Sequence, residues 1–241
     1  ILGGEAVKTE MMRRLYAIPK HRDLKVVNQY GPTETCVVAT QFIMTAAGWE
    51  EYLPPPIGTP LKGVEVRLCD SAGRAVPDGV PGEIRISGRG VARGYLDDPL
   101  QTEQRFVRDA AGRRWYRTGD MARRIAGGLL QFLGREDRQV KIRGYRIELA
   151  EVEARLARHP LIRQVAVVAA DPRGEGDRLL VAYVVPHAGF DVTQCRTELD
   201  TSLPAWMVPS WLVTIDALPL TANGKIDERR LPPPADLAAR E

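Results

Sequence analysis

Three cysteines in 241 residues, Cys36, Cys69 and Cys195, are too few and too far apart for a disulfide framework. None forms a C-x-x-C pair. With only three histidines beside them (His21, His159 and His187), the residue types of a zinc site are scarce as well. The thiols read as the reduced cysteines of a cytoplasmic protein. Apolar runs long enough to span a membrane are missing, and no signal peptide is visible. Charge of one sign is also missing: 34 Lys+Arg are set against 31 Asp+Glu, interleaved along the chain. A nucleic-acid footprint needs a basic stripe, and the short runs "RRIAGG" and "DERRL" read as solvated faces instead.

What is present is ordinary globular sequence, 44% hydrophobic and 27% charged, of a length that suits one large domain or two smaller ones. The chain begins at Ile1, and "ILGGEAV" reads as a strand already under way, so a piece of a longer protein is expected. "KVVNQY" and "VVATQFI" read as strands with "GPTET" between them. "MMRRLYAI" has helical spacing, with Met11, Leu15 and Ile18 on one face. From Pro54 to Leu133 the strands "VEVRLC", "GEIRIS", "MARRI" and "LLQFLG" alternate with Gly/Pro turns, which suggests a small barrel or distorted sheet.

The pattern changes near Asp137. "ELAEVEARLARHP" predicts a helix with Leu149, Val152 and Leu156 as its apolar stripe. Glutamates stand in its first turns, Arg155, Arg158 and His159 at its end, and Pro160 stops it. "VAVVAA" and "LLVAYVVP" read as buried strands, "CRTELDTSL" as a helix and "WLVTIDAL" as a last strand, before the Pro-rich tail "LPPPADLAARE". The expected division is therefore 1–136 and 137–241, in an α+β (mixed α/β) fold.

Several short stretches could carry chemistry. "GGE" at Gly3–Glu5 is by itself any tight turn. "NQYGPTET" sets an amide, an aromatic, a hydroxyl and a carboxylate on one loop, a set suited to a nucleotide with magnesium, although Gly31-Pro32 is equally an ordinary turn. In "WYRTGD", Asp120 follows a glycine and is either an Asx-turn or a carboxylate for a ribose diol. "GREDRQVKIRGYRIEL" reads as a charged strand-loop, with a solvated edge strand as the plain alternative. "LPLTANGKIDERRL" sets Lys225 after Asn-Gly, a strong tight-turn pair, where a solvated surface lysine is the ordinary reading.

Taken in order, "NQYGPTET", "IGTP", "GEIRISGRGVARGYL", "YRTGDMAR", "GREDRQVKIRGYRIELAEVE", "LPAWMVPS" and "NGKID" make the chain resemble the adenylate-forming superfamily. The resemblance is closest to the amino-acid adenylation domains of nonribosomal peptide synthetases and runs over nearly the whole chain. It implies the end of a large core with a small β-barrel, followed by a mobile lid. The implied reaction forms an acyl-adenylate from a carboxylate and ATP, with Mg²⁺, and then passes the acyl group to the phosphopantetheine thiol of a peptidyl carrier protein domain.

The same resemblance implies residue roles. Asn28 would bond the adenine edge and Tyr30 would stack on the ring, with Phe132 nearby. Gly4, Glu5, Gln29 and Gly31 would also contact ATP or AMP. Thr33 would bond a phosphate and Glu34 would hold Mg²⁺. Asp120, helped by Arg135, would take the ribose hydroxyls. Asp137 would be the hinge and Gly144 would line the pantetheine path. Lys225 would be catalytic, bridging the acyl carboxylate and the α-phosphate. Ile1, Gly3, Gln29, Val37 and Val38 would line the side-chain pocket, whose two valines and isoleucine favour a proline-like or small apolar amino acid. The plain reading of Val37 and Val38 is a strand core.

Ala150 and Trp206 depart from the family's usual Gly and Tyr. The family's upstream Gly/Ser/Thr-rich phosphate loop and its substrate-gripping aspartate are not in these 241 residues, so adenylation by the isolated chain is not expected. The rival readings are an acyl- or aryl-CoA ligase of the same superfamily and a non-catalytic interaction fragment. An MbtH-like helper protein, bound near "GRRWYRTGDMARR", is a further implied partner.

Overall fold

A computed structural model describes residues 1–171, 178–221 and 226–233. They fall into two units, Ile1–Asp137 and Arg138–Glu241. In the first unit, β1 (Leu2–Gly3), α1 (Thr9–Ala17), β2 (Val26–Tyr30), β3 (Thr40–Met44) and β4 (Thr59–Pro60) come in that order. The strands form one sheet in chain order, with β1 parallel to β2 and the other pairs antiparallel.

Helix α1 turns a different face inward from the one its spacing suggested. Met12 and Tyr16 are buried, whereas Met11 and Ile18 are exposed and Leu15 is only partly covered. Two adjacent stripes at helical spacing were available. The one carrying a tyrosine packs inward because its hydroxyl can donate to the backbone oxygens of Leu24 (3.2 Å) and Met44 (3.0 Å) while its ring joins Val26, Met44 and Trp49. The strand read in "VVATQFI" begins only at Thr40, so Val37 and Val38 lie in the preceding loop.

The rest of the unit comprises β5 (Val64–Cys69), β6 (Gly82–Gly88), α2 (Pro99–Arg105), β7 (Phe106–Arg108), β8 (Arg114–Arg124) and β9 (Leu130–Arg135). They build a five-stranded sheet in which β8 pairs with β6 on one edge, and on the other with β7 along its first half and β9 along its second. Ile84, Ile86, Ala122 and Leu130 are almost fully buried and pack with Ile57 and Leu68, so each isoleucine contributes about 1.5–3 kcal/mol by leaving water. Helix α2 was not read from the sequence, although Asp98 caps it by accepting from the Gln101 N–H (2.9 Å) and Pro99 opens it.

The second unit opens with a hairpin, β10 (Gln139–Ile142) and β11 (Tyr145–Glu148), whose turn residues Arg143 and Gly144 both have positive φ (51° and 81°). This is the handedness that suits a twisted two-strand ribbon. It continues through α3 (Leu149–Leu156), β12 (Ile162–Ala170), β13 (Leu179–Pro186), α4 (Val192–Ser202) and β14 (Trp211–Thr214), with β13 antiparallel to β12 and parallel to β14. Leu149, Val152 and Leu156 are buried against Val167, Ala182, Val184 and Leu199. On the sheet's other face, Leu231 packs on Val181 and Tyr183, and the Tyr183 hydroxyl donates to the Pro232 carbonyl at 2.5 Å.

Candidate functional site

Asp120 lies inside β8 and not in a turn. Gly119, at φ +74°, makes a bulge there, and the β6–β8 register shifts between Glu83 and Arg85. The bulge aims the Asp120 carboxylate at two other strands. Its Oδ1 accepts from Arg135 Nη1 at 2.6 Å and its Oδ2 from the Tyr30 hydroxyl at 2.6 Å. A carboxylate has about four lone-pair sites, so capacity for a diol remains after these two bonds. Phe132, on the same strand as Arg135, sits 6.3 Å from the Tyr30 ring. Burial, reinforced by the Asp120 carboxylate, pushes the Tyr30 hydroxyl well above the ordinary tyrosine range, so it acts as a donor throughout the physiological pH range.

Arg135 is shared. While Nη1 holds Asp120, its Nε and Nη2 reach the two oxygens of Asp137 at 2.6 and 2.8 Å, and Nη2 also donates to the Thr118 carbonyl at 3.0 Å. Asp137 Oδ2 accepts in addition from Arg105 at 3.2 Å.

Asn28, two residues before Tyr30 on β2, is buried, and its side chain faces the Pro56 carbonyl at 2.8 Å. A carbonyl can only accept, so the facing atom is the amide nitrogen and the oxygen is turned the other way.

The loop after Tyr30 carries the second carboxylate. Gly31 is required there: a Cβ would come within 2.6 Å of the Val37 carbonyl and 2.7 Å of the Ala39 nitrogen. The loop closes on itself as the Ala39 N–H donates to the Tyr30 carbonyl (2.8 Å), and Cys36 and Val37 are held at φ +63° and +71°. A β-branched side chain at positive φ is rare and costly. Thr33 is exposed, and Glu34 is buried. Both Tyr95 (2.8 Å) and Tyr116 (2.7 Å) donate to Glu34 Oε1, with their hydroxyls 3.2 Å apart. Burial first, then Tyr116 and Glu34, pushes the Tyr95 hydroxyl above its ordinary range.

Neither Tyr95 nor Tyr116 was assigned a role from the sequence, although both stand inside the quoted motifs. The usable signal was an acidic residue followed by two phenols, Tyr95 in the β6–α2 connection and Tyr116 in β8, which only the fold joins. Among the described residues no group of three or more His, Cys, Asp or Glu side chains could hold a metal. One buried carboxylate of this kind suits a hard cation that arrives on phosphate oxygens, and the residues therefore fit Mg²⁺ held in that way.

The remaining candidates are placed as follows. Gly3 pairs with Gln29 across the parallel β1–β2 contact, where a Cβ on Gly3 would stand 3.1 Å from the Gln29 carbonyl. Gly4 has φ +89° and Glu5 is exposed. Ile1 and Val37 are 87% and 68% exposed, so neither is strand core, and Val38 is half-buried. Gly144 forms the β10–β11 turn in the second unit. Lys225 lies outside the described residues; on either side of that stretch, Leu220 and Ile226 pair antiparallel. A cleft of about 500 Å³ beside Asp78 and Arg123–Gly128 contains none of the candidates, so the site is defined by its polar contacts.

Comparison with known proteins adds an independent line. The model of the AMP-binding enzyme family matches residues 1–96, and that of the AMP-binding enzyme C-terminal domain matches 151–225. Bacitracin synthase 3 of Bacillus licheniformis is 43% identical over 236 residues, covering 97% of this chain and 4% of that protein. A dimodular nonribosomal peptide synthase of Bacillus subtilis (strain 168) is 46% identical over 239 residues, covering 97% and 10%. The chain thus spans a small fraction of these relatives. Among solved structures, the Vibrio cholerae adenylation domain AlmE in complex with glycyl-adenosine-5'-phosphate superposes with a TM-score of 0.83 at 28% identity, over 100% of this chain and 44% of that one. PA1221, described as a nonribosomal peptide synthetase protein containing adenylation and carrier domains, gives 0.81 at 33% identity in its holo, inhibitor-bound form, over 99% and 40%.

Proposed function

The chain belongs to the AMP-binding enzyme family, and from that premise we propose that it forms the later part of an amino-acid adenylation domain of a nonribosomal peptide synthetase. In the proposed reaction an amino-acid carboxylate oxygen attacks the α-phosphorus of ATP. The bond from that phosphorus to the bridging oxygen breaks, giving an aminoacyl-adenylate and pyrophosphate. The phosphopantetheine thiol of a carrier protein then attacks the acyl carbonyl, loses its proton and releases AMP. Such chemistry depends mostly on positioning and charge stabilisation.

The observation that carries this reading is the convergence of Tyr30, Asp120, Phe132 and Arg135 from three strands into one aromatic and charged subsite. In this reading Asp120 accepts from the ribose hydroxyls while Arg135 and Tyr30 fix its two oxygens. The Asn28 amide oxygen receives the adenine amino group, Tyr30 and Phe132 flank the ring, and Gly4, Glu5, Gln29 and Gly31 border the nucleotide. Thr33 donates to a phosphate. Glu34, steadied by Tyr95 and Tyr116, would hold Mg²⁺, whose chemistry when bound is to neutralise phosphate charge.

Lys225 bridges the acyl carboxylate and the α-phosphate and offsets negative charge as it develops. Ile1, Gly3, Gln29, Val37 and Val38 face a small apolar or proline-like side chain. The working division is a core part, 1–136, and a lid, 137–241, that turns at Asp137 and brings Gly144 to the pantetheine arm, in a cytoplasmic enzyme. The surface around residues 112–124 would take an MbtH-like helper.

The deciding assay is carboxylate-dependent ATP–pyrophosphate exchange in the native-length protein, run across amino acids and simple acyl or aryl acids. Exchange with one small apolar amino acid, lost at least ~100-fold in Lys225→Ala, is the expected result. Exchange only with non-amino acids moves the protein to the CoA-ligase branch, and none from a folded protein without or with a helper leaves an interaction fragment. Exchange by the 241-residue chain alone would contradict the division of the site proposed above.

A further inference from the structure

Resting on that reading, we propose that Arg105, at the end of α2, is a positioning residue of the nucleotide site that acts through Asp137 and Arg135. Five side chains of alternating character make one string: Arg105, Asp137, Arg135, Asp120 and Tyr30. Each link is a hydrogen bond of 3.2 Å or less. Arg135 is only 13% exposed and Asp120 11%, so the middle of the string is screened from water, while Asp137 and Arg105 at 29% and 26% form its outer end. Screened ionic hydrogen bonds are shorter and stronger than exposed ones.

The geometry makes Asp137 the fulcrum. Its carboxylate grips the Arg135 guanidinium through two parallel N–H bonds, which fixes the plane of the fork and hence where Nη1 points. Arg105 holds the same carboxylate at Oδ2 from a second direction and so limits how far it can swing about its χ angles and carry that fork with it. Gly119 leaves the space in which the three groups meet: a Cβ there would stand 2.6 Å from Asp137 Oδ2, 2.8 Å from Arg135 Nη2 and 3.1 Å from Arg105 Nη1. Arg105 therefore reaches the ribose carboxylate without touching nucleotide. It also ties the carboxylate of the proposed hinge residue to the first unit.

The test is a double-mutant cycle between Arg105→Ala and Asp137→Asn, with Arg105→Lys as the conservative variant and thermal unfolding recorded for each. Two readouts are taken. The first is the Arg135 Nε–H resonance in ¹⁵N-labelled chain, identified by its loss in Arg135→Lys. The second is KM for ATP against kcat in pyrophosphate exchange by the native-length protein.

Arg105→Ala should broaden or shift the Arg135 signal and raise KM for ATP roughly tenfold, a coupling typical of contacting charged groups, with kcat little changed. Arg105→Lys should recover most of both, and is the variant read if the alanine protein does not fold. In the Asp137→Asn background, Arg105→Ala should add almost nothing. An unmoved Arg135 signal, an unchanged KM or independent multiplicative losses would each overturn the role of Arg105. A responding signal with no exchange in any protein, wild type included, would instead refute the adenylation reading and reduce Arg105 to a structural clamp.

Discussion

Gly119→Ala should cost the first unit more stability than Gly112→Ala, which provides its control. The two glycines have nearly the same backbone, φ +74° and +76°. An L-residue in that region costs about 1–2 kcal/mol wherever it stands. At Gly112 nothing lies within 4 Å of the new methyl, so the conformational cost is the whole effect. At Gly119 the methyl would stand 2.6 Å from Asp137 Oδ2 and 2.8 Å from Arg135 Nη2, closer than real Cβ contacts come. The contacted atoms are side-chain ends, so the cluster must shift, and a shift that loses one charge-assisted hydrogen bond costs about 1.5–3 kcal/mol.

Gly119→Ala should therefore destabilise the unit by up to roughly 2.5–5 kcal/mol against about 1–2 for Gly112→Ala. In melting temperature this separates the variants by roughly 5–10 °C. Urea unfolding followed by tryptophan fluorescence, in a Trp206→Phe, Trp211→Phe background that leaves only the buried Trp49 and Trp115, reports the first unit specifically. Equal losses in the two variants would refute the claim that the Asp137–Arg135–Arg105 cluster fills the space over Gly119.

Val37→Gly should leave the first unit as stable as wild type or up to about 1 kcal/mol more stable, because it removes an exposed side chain from a positive-φ position; a loss above ~1 kcal/mol in urea unfolding would show that the valine is packed. Asp120→Asn should cost about 1–3 kcal/mol in the same assay and raise KM for ATP, since Arg135 keeps Asp137 but Tyr30 and Arg135 lose an anionic acceptor. In an alkaline titration Tyr30 and Tyr95 should stay un-ionised beyond the ordinary tyrosine range near 10.0, because both are raised in the folded state. Their contribution to stability is complete below that range and is lost as pH rises through their folded values, so tyrosinate absorbance should fall short of all seven tyrosines until unfolding begins.

What the sequence made legible was local. Leu149, Val152 and Leu156 share one helical face within about two turns, and the Glu-first, Arg-last charge order marks the same helix, so nothing distant was needed to read it. Asp98-Pro99 was an equally local signal for α2 that went unused. Met12 and Tyr16 could not be preferred over Met11 and Leu15 from spacing alone, because the choice rests on Met44, which arrives on another strand. Val37 looks like strand and is not, since its backbone is set by the close approach of the loop to Gly31. The site was legible as a set of residue types, but its wiring was not. Tyr95 and Tyr116 reach Glu34 from 61 and 82 positions away, and Arg105 reaches Asp137 from 32.

The tie that holds Asp137 to Arg105 and Arg135 also indicates where such chains can be recombined. A seam cut just before Asp137 would take the fulcrum from one parent and both arginines from the other, so the splice would depend on two unrelated sequences agreeing on one carboxylate. Cut after Asp137, the donated segment starts at Arg138, whose guanidinium is held by Glu153 and the Val167 carbonyl, partners that travel with it. The exchange cassette therefore begins one residue later than the proposed hinge, and a chimera built there should inherit the proposed nucleotide subsite whole from a single parent.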